Sequence, residues 1–128
     1  MKSYTDLSQS KVLAKILKIE SADCFWDYDD LQKFHRISWF EDGYNKESQL
    51  RLNENNVCAW SLSALISVLP RFIEYKGNKY YLRFMKEYVE YANDEFSITG
   101  RCLHTTGNDN LTNACVEMIL KLHELKML

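Results

Sequence analysis

Phe72-Ile73-Glu74-Tyr75-Lys76-Gly77-Asn78-Lys79-Tyr80-Tyr81-Leu82-Arg83-Phe84-Met85 is the stretch that decides the fold. Two runs rich in aromatic and branched residues flank Lys76-Gly77-Asn78, and that pattern predicts an antiparallel hairpin. With a side-chain period of two, Tyr80, Leu82 and Phe84 point one way while Tyr81, Arg83 and Met85 point the other. Tyr88 to Ala92 continues the pattern, a turn is expected at Asn93-Asp94, and Phe96 to Thr99 reads as a further strand. The middle of the chain is therefore expected to be an antiparallel meander.

Helical patterns stand on either side. Leu62, Leu65, Ile66 and Leu69 recur at i, i+3, i+4 and i+7, with Ser61 as N-cap and Pro70 as the stop. Towards the end of the chain, Leu111, Ala114, Cys115, Met118, Ile119, Leu122 and Leu125 form a longer apolar stripe. Asn108-Asp109-Asn110 supplies caps at its start, and Lys121, His123 and Lys126 place positive charge near its carbonyl end. Near the beginning, Leu13, Ile16 and Leu17 recur at helical spacing across Ser8 to Leu17, with Asp6 and Gln9 as a capping pair.

Between the first two helices, Cys24 to Tyr28 alternates like a short strand. Ile37 to Phe40 reads as another, turning at Glu41-Asp42-Gly43. Asn45 to Asn56 is polar and reads as a loop with a brief strand at Leu50 to Leu52. The expected fold class is α+β: an antiparallel meander packed by about three helices, in a single domain over residues 1–128. No internal repeat or low-complexity tract is present.

Composition bounds the function classes. A chain of 128 residues buries roughly two-thirds of its unfolded surface, enough for one core without staples. Sixteen basic residues against 18 acidic ones leave a net charge of -2, which argues against a dedicated nucleic-acid coat, since phosphate neutralisation needs surplus cations. No apolar run approaches the roughly 20 residues that span a bilayer. Met1-Lys2-Ser3-Tyr4-Thr5-Asp6 lacks the apolar core of a secretion signal. Cys24, Cys58, Cys102 and Cys115 form no CxxC pair, so four reduced thiols in a cytoplasmic protein are expected.

Three segments resemble a family of small uncharacterised proteins of gut Bacteroidetes, their prophages and mobile elements. The first is Ser10-Lys11-Val12-Leu13 followed by Glu20-Ser21-Ala22-Asp23 and Trp26. The second is Trp60-Ser61-Leu62-Ser63-Ala64-Leu65 with Leu69-Pro70. The third is Asp109 with Asn113-Ala114-Cys115-Val116-Glu117-Met118-Ile119-Leu120-Lys121-Leu122. They fall in order along nearly the whole chain. Two positions depart from the pattern: Ala59 separates Cys58 from Trp60, and Leu111 stands where the family has proline. The resemblance implies a compact α+β fold and a phage or mobile-element setting, and it carries over no activity, cofactor or site.

Residues able to carry chemistry are few. Cys58 precedes the expected second helix, where amide dipoles lower a thiol pKa, so it is the candidate nucleophile of a thiol-dependent enzyme with His35 or His104 as base. Against this stands a small buried cysteine packing under the helix. Cys102-x-His104 lacks the second close pair of a zinc site, and no metal or cofactor is expected. The carboxylates Asp23, Asp27, Asp29, Asp30, Glu41 and Asp42 show no spacing that singles out an acid and base pair. The isolated glycines exclude a P-loop or dinucleotide fingerprint, and no Gly-x-Ser-x-Gly or His-Glu-x-x-His occurs. Lys11, Lys15 and Lys18 make a basic stripe that either touches phosphates or an acidic partner, or is simply the wet face of an amphipathic helix.

Aromatic residues are plentiful, with eight tyrosines, six phenylalanines and three tryptophans, more than one small core obviously needs. Trp26, Trp39, Phe40, Tyr81, Tyr88 and Tyr91, with Arg83, are the candidates for an exposed protein-binding surface. The competing reading is that they fill the core or brace the sheet as cross-strand pairs. The leading functional expectation is a non-enzymatic interaction module that binds another protein or itself. A thiol enzyme using Cys58 and a weak nucleic-acid binder using the lysine stripe are the alternatives.

Overall fold

The Asp6 carboxylate accepts from the Gln9 amide at 2.8 Å, and the Gln9 side chain accepts from the Asp6 amide in return. That capping box starts α1 (Leu7–Leu13). The computed structural model describes residues 2–85, 87–93, 102–107 and 110–128, with the backbone alone for 102–105. The expected helix continues to Leu17, but regular helix ends at Leu13 and the chain runs on as turns. The described residues form an α+β fold and divide into two compact units, Ser3–Ala64 and Lys2 with residues 65–128.

In the first unit a three-stranded antiparallel sheet has the order β2-β1-β3, built from β1 (Cys24–Asp29), β2 (Phe34–Trp39) and β3 (Val57–Ala59). β2 begins three residues earlier than the sequence pattern suggests. The reason is the turn before it: Asp29 Oδ1 accepts from the amides of Leu31 and Gln32, and Lys33 takes a φ of 58°, which brings Phe34 opposite Asp29. The polar stretch read as a loop with a short strand holds a helix instead, α2 (Lys46–Leu50). Its N-cap Asn45 accepts from the Ser48 amide at 3.0 Å. Caps at one end and an exposed Glu47–Arg51 pair along one side hold a segment that has no apolar stripe to announce it. The core gathers Leu13, Ala22, Cys24, Phe25, Ala59 and Trp60, all buried.

α3 (Leu62–Val68) follows, and Ser61 caps it as expected, its hydroxyl accepting from the Ala64 amide at 3.1 Å. The Asp23 carboxylate in turn accepts from both the amide and the hydroxyl of Ser61.

The second unit holds the expected meander, order β4-β5-β6-β7: β4 (Phe72–Tyr75), β5 (Asn78–Met85), β6 (Tyr88–Ala92) and β7 (Cys102–Gly107). Lys76 and Gly77 form a two-residue turn with φ of 50° and 79°, the left-handed geometry whose twist suits a hairpin. Gly77→Ala should therefore cost roughly 1–2 kcal/mol in urea unfolding, because a side chain there meets no neighbour but must adopt the strained backbone. The strand expected at Phe96 to Thr99 lies outside the described residues, as do Asp94, Asn108 and Asp109. α4 (Leu111–Glu124) packs on β6 and β7, capped by Asn110, whose side chain accepts from the Asn113 amide at 2.8 Å. Ala114, Cys115, Met118, Ile119 and Leu122 are buried as the stripe requires, whereas Leu125, just past the last turn, is exposed. Four helices are present among the described residues, one more than the sequence pattern suggests.

Candidate functional site

The register of β5 with its neighbours sorts the aromatic candidates. Leu82 pairs with Tyr91, Phe84 with Val89 and Tyr80 with Ile73, so these side chains share the face on which α4 lies. On that face the Thr106 hydroxyl donates to the Ala114 carbonyl at 2.8 Å. Tyr91 is consequently a core residue, 0% exposed, with its hydroxyl donating to the Pro70 carbonyl at 2.7 Å. Burial raises its pKa, with a smaller contribution from Cys115. Its expected role on a binding surface is corrected: it braces the sheet from within.

The opposite face carries Phe72, Tyr81, Arg83, Met85 and Tyr88. Phe72, Met85 and Tyr88 are 43%, 44% and 53% exposed, and Tyr81 and Arg83 are half-buried among them. Phe72 and Tyr81 face each other with ring centroids 6.3 Å apart. Arg83 is ion-paired with the buried Glu90 directly across the ladder, and the Lys79 ammonium sits 4.6 Å above the Phe72 ring. Tyr88 lies over Gly107 on β7, so close that a Cβ added to that glycine would stand 2.5 Å from the ring. The absence of a side chain at 107 is what lets the ring lie where it does. Phe72 and Met85 were missed by the sequence reading, although each stands on the same alternating face as Tyr81 and Arg83.

The remaining aromatic candidates belong to the first unit. Trp39, at the end of β2, is 55% exposed. Trp26 is half-buried: its indole donates to the Thr5 carbonyl at 3.2 Å and its ring meets Tyr4 edge-on. Phe40 is wedged between Phe25, 4.9 Å between centroids, and the Lys46 ammonium, which also donates to the Ala22 carbonyl. Both serve packing.

Cys58 sits in the middle of β3 rather than at the mouth of a helix. Burial raises its pKa, and Lys46 opposes the rise only in part. The thiolate-favouring environment expected of it is absent. His35 does not supply a base: it pairs with Tyr28 on β1, three residues from the Phe25 that faces Cys58. Three residues are about 10 Å of strand, and alternation puts the two side chains on opposite faces. The His35 ring instead packs 4.8 Å from Tyr28, with Nε2 3.0 Å from the Asn55 carbonyl oxygen.

Cys102 and His104 lie in β7, a strand that the sequence pattern does not foresee, and their side chains lie outside the described residues. No group of three or more His, Cys, Asp and Glu side chains able to hold a metal occurs among the described residues. Four of the six candidate carboxylates hold local structure: besides Asp23 and Asp29, Asp27 accepts from Ser38 and Asp30 from Asn53.

Lys11, Lys15 and Lys18 are all exposed, but only Lys11 lies in α1. Lys11 and Lys15 reach the edge of a cleft of about 570 Å³ in the first unit. Its walls are Ala14, Leu17, Ile19, Leu50, Val57 and Cys58, backed by Trp60, and Arg51 and Glu47 stand on the rim. No helix of the described residues is long and apolar enough to cross a membrane. No family model, curated protein or solved structure matches the chain.

Proposed function

We propose that the chain is a non-enzymatic protein-interaction module, an accessory protein of a phage or mobile element acting in the cytoplasm of its host, and that it docks through the outward face of the β4–β7 sheet. The observation that supports this most directly is the row of open apolar side chains, Phe72, Met85 and Tyr88, around Tyr81 and Arg83. Aromatic residues beside an arginine are the composition of binding hot spots. The resemblance of three sequence segments to small proteins of Bacteroidetes prophages and mobile elements supports the setting.

The chemistry of the face narrows the partner. Arg83 is paired with Glu90, and Lys79 lies over Phe72 opposite Glu74. A partner therefore gains little by bringing charge, and an apolar, near-neutral patch fits best. Association of that kind depends weakly on salt.

A photo-crosslinking residue at position 88, with one at exposed Leu31 as control, tests the reading in host cells. The expected result is a single protein crosslinked from position 88 and not from position 31. Purified, that protein should bind the wild-type chain at low and moderate salt alike and lose roughly 30-fold or more in affinity to Met85→Asp with Tyr88→Asp. A crosslink to a second copy would identify the partner as the chain itself. No crosslink from position 88 in a folded protein, or equal binding by the double variant, would overturn the proposal.

A further inference from the structure

We infer that the cleft of the first unit is a binding site for a small amphipathic anion, a carboxylate carried on an aliphatic or aromatic body. The inference rests on residues of Ser3–Ala64 alone and stands independently of the sheet face.

The size comes first. A volume of about 570 Å³ lies within the range of roughly 300–1,000 Å³ typical of small-molecule sites. The walls decide the body of the ligand. Leu17, Ile19, Leu50, Val57 and Cys58 present apolar surface, and the side chains of Asn56 and Trp60 among them are already engaged. Asn56 accepts from the Tyr28 amide at 2.8 Å and donates to the Leu50 carbonyl at 3.1 Å, and the Trp60 indole donates to Ser21 at 2.9 Å. A polar group pushed into this space would lose its water against mostly apolar walls whose Asn56 and Trp60 side chains are already bonded, which favours an apolar body for the buried part of an occupant.

The rim decides the head. Lys11 and Lys15 stand one helical turn apart in sequence, and Arg51 comes from the end of α2. Glu47, the one carboxylate on the rim, is paired with Arg51. Three cations against one anion favour a negatively charged head at the mouth, where water still reaches it. The presence of Glu47 favours a single negative charge over a dianion. Apolar depth below a cationic edge fits a fatty or aromatic carboxylate. It also gives the lysine pair a role that the nucleic-acid reading of the stripe does not explain, since Lys18 takes no part in the cleft.

Decanoate, kept below its micelle concentration, is the probe, with decanol as the same body without charge and acetate as the head without body. Titration calorimetry, with the fluorescence of Trp60 at the back of the cleft as a second readout, should show saturable one-to-one binding of decanoate. Decanol and acetate should each bind at least about tenfold more weakly. Lys11→Glu with Lys15→Glu changes only exposed side chains and should weaken decanoate about tenfold or more. Ala14→Trp, at an exposed position on the cleft wall, should abolish binding by filling the space. Decanol binding as tightly as decanoate would overturn the anionic head. Undiminished binding in both variants, or none in the wild type, would overturn the site.

Discussion

Trp60→Ala should lower the unfolding free energy of the protein by about 3–5 kcal/mol, the range for removing a large aromatic side chain from a packed core. Trp60 is 0% exposed and sits where several supports of the first unit meet. Its amide donates to the Thr5 hydroxyl at 3.1 Å, and its carbonyl accepts from the Thr5 amide at 2.9 Å. The Thr5 hydroxyl is also 2.7 Å from that of Ser10 on α1. The indole itself donates to Ser21 at 2.9 Å. Alanine keeps the backbone bonds, so the loss comes from the cavity and from the Ser21 hydroxyl left without its donor. Urea titration of the two proteins measures it. A loss below about 1 kcal/mol would mean that the site collapses freely and that the packing around Trp60 is looser than described.

The second large effect is alkaline. Cys24 and Cys115 are both 0% exposed, and burial pushes each thiol from its ordinary 9.0 up to about 12. At Cys24 the neighbouring Asp23 charge adds to the rise. Between about pH 9 and 12 the unfolded chain releases these protons while the folded chain holds them. Stability is therefore fully present below pH 9 and falls as pH rises through that window, by an amount on the order of a few kcal/mol per thiol. Tyr91, shifted in the same direction, steepens the fall. Urea midpoints from pH 8 upward should be level at first and then decline. Cys115→Ala, whatever it costs at pH 8, should shallow the decline, and an unchanged slope would remove Cys115 as a contributor.

The parts of the fold legible in the sequence were those with periodicity or a cap. The hairpin at Lys76-Gly77, the Asp6–Gln9 box and the stripe of α4 each combine a local pattern with an unambiguous punctuation residue. α2 has neither an apolar stripe nor enough length to show one, so its polar residues read as a loop, and what makes them a helix is the Asn45 cap on the Ser48 amide. Cys58 is obscured for a related reason: a three-residue strand is too short to alternate visibly, and the helix that begins at Leu62 dominates the local pattern.

The aromatic surface was half legible. Alternation separates Tyr81 from Leu82 without saying which face a helix will cover. Yet the Met85–Tyr88 pair that closes the second hairpin sets Tyr91 opposite Leu82, and that register places Tyr91 on the Leu82 face rather than with Tyr81. The cleft was legible only as two lysines four residues apart. Its third cation comes from α2, the helix that the pattern did not reveal, and its apolar walls come from elements separated by some forty residues of chain.

The hydrogen bonds of Lys2 carry a consequence for how the protein is made. Its ammonium donates to Asn113 at 2.6 Å and its carbonyl accepts from Thr112 at 2.7 Å, across 111 and 110 residues of sequence. On a ribosome, Lys2 emerges more than a hundred residues before its partners. Ser3, next in the chain, is placed by its carbonyl accepting from the Leu62 amide, so the first unit can hold its own part of this segment once Leu62 has been made. In the unit that α4 completes, Lys2 thus waits long before Thr112 and Asn113 exist, and these two bonds close only after translation has passed Asn113.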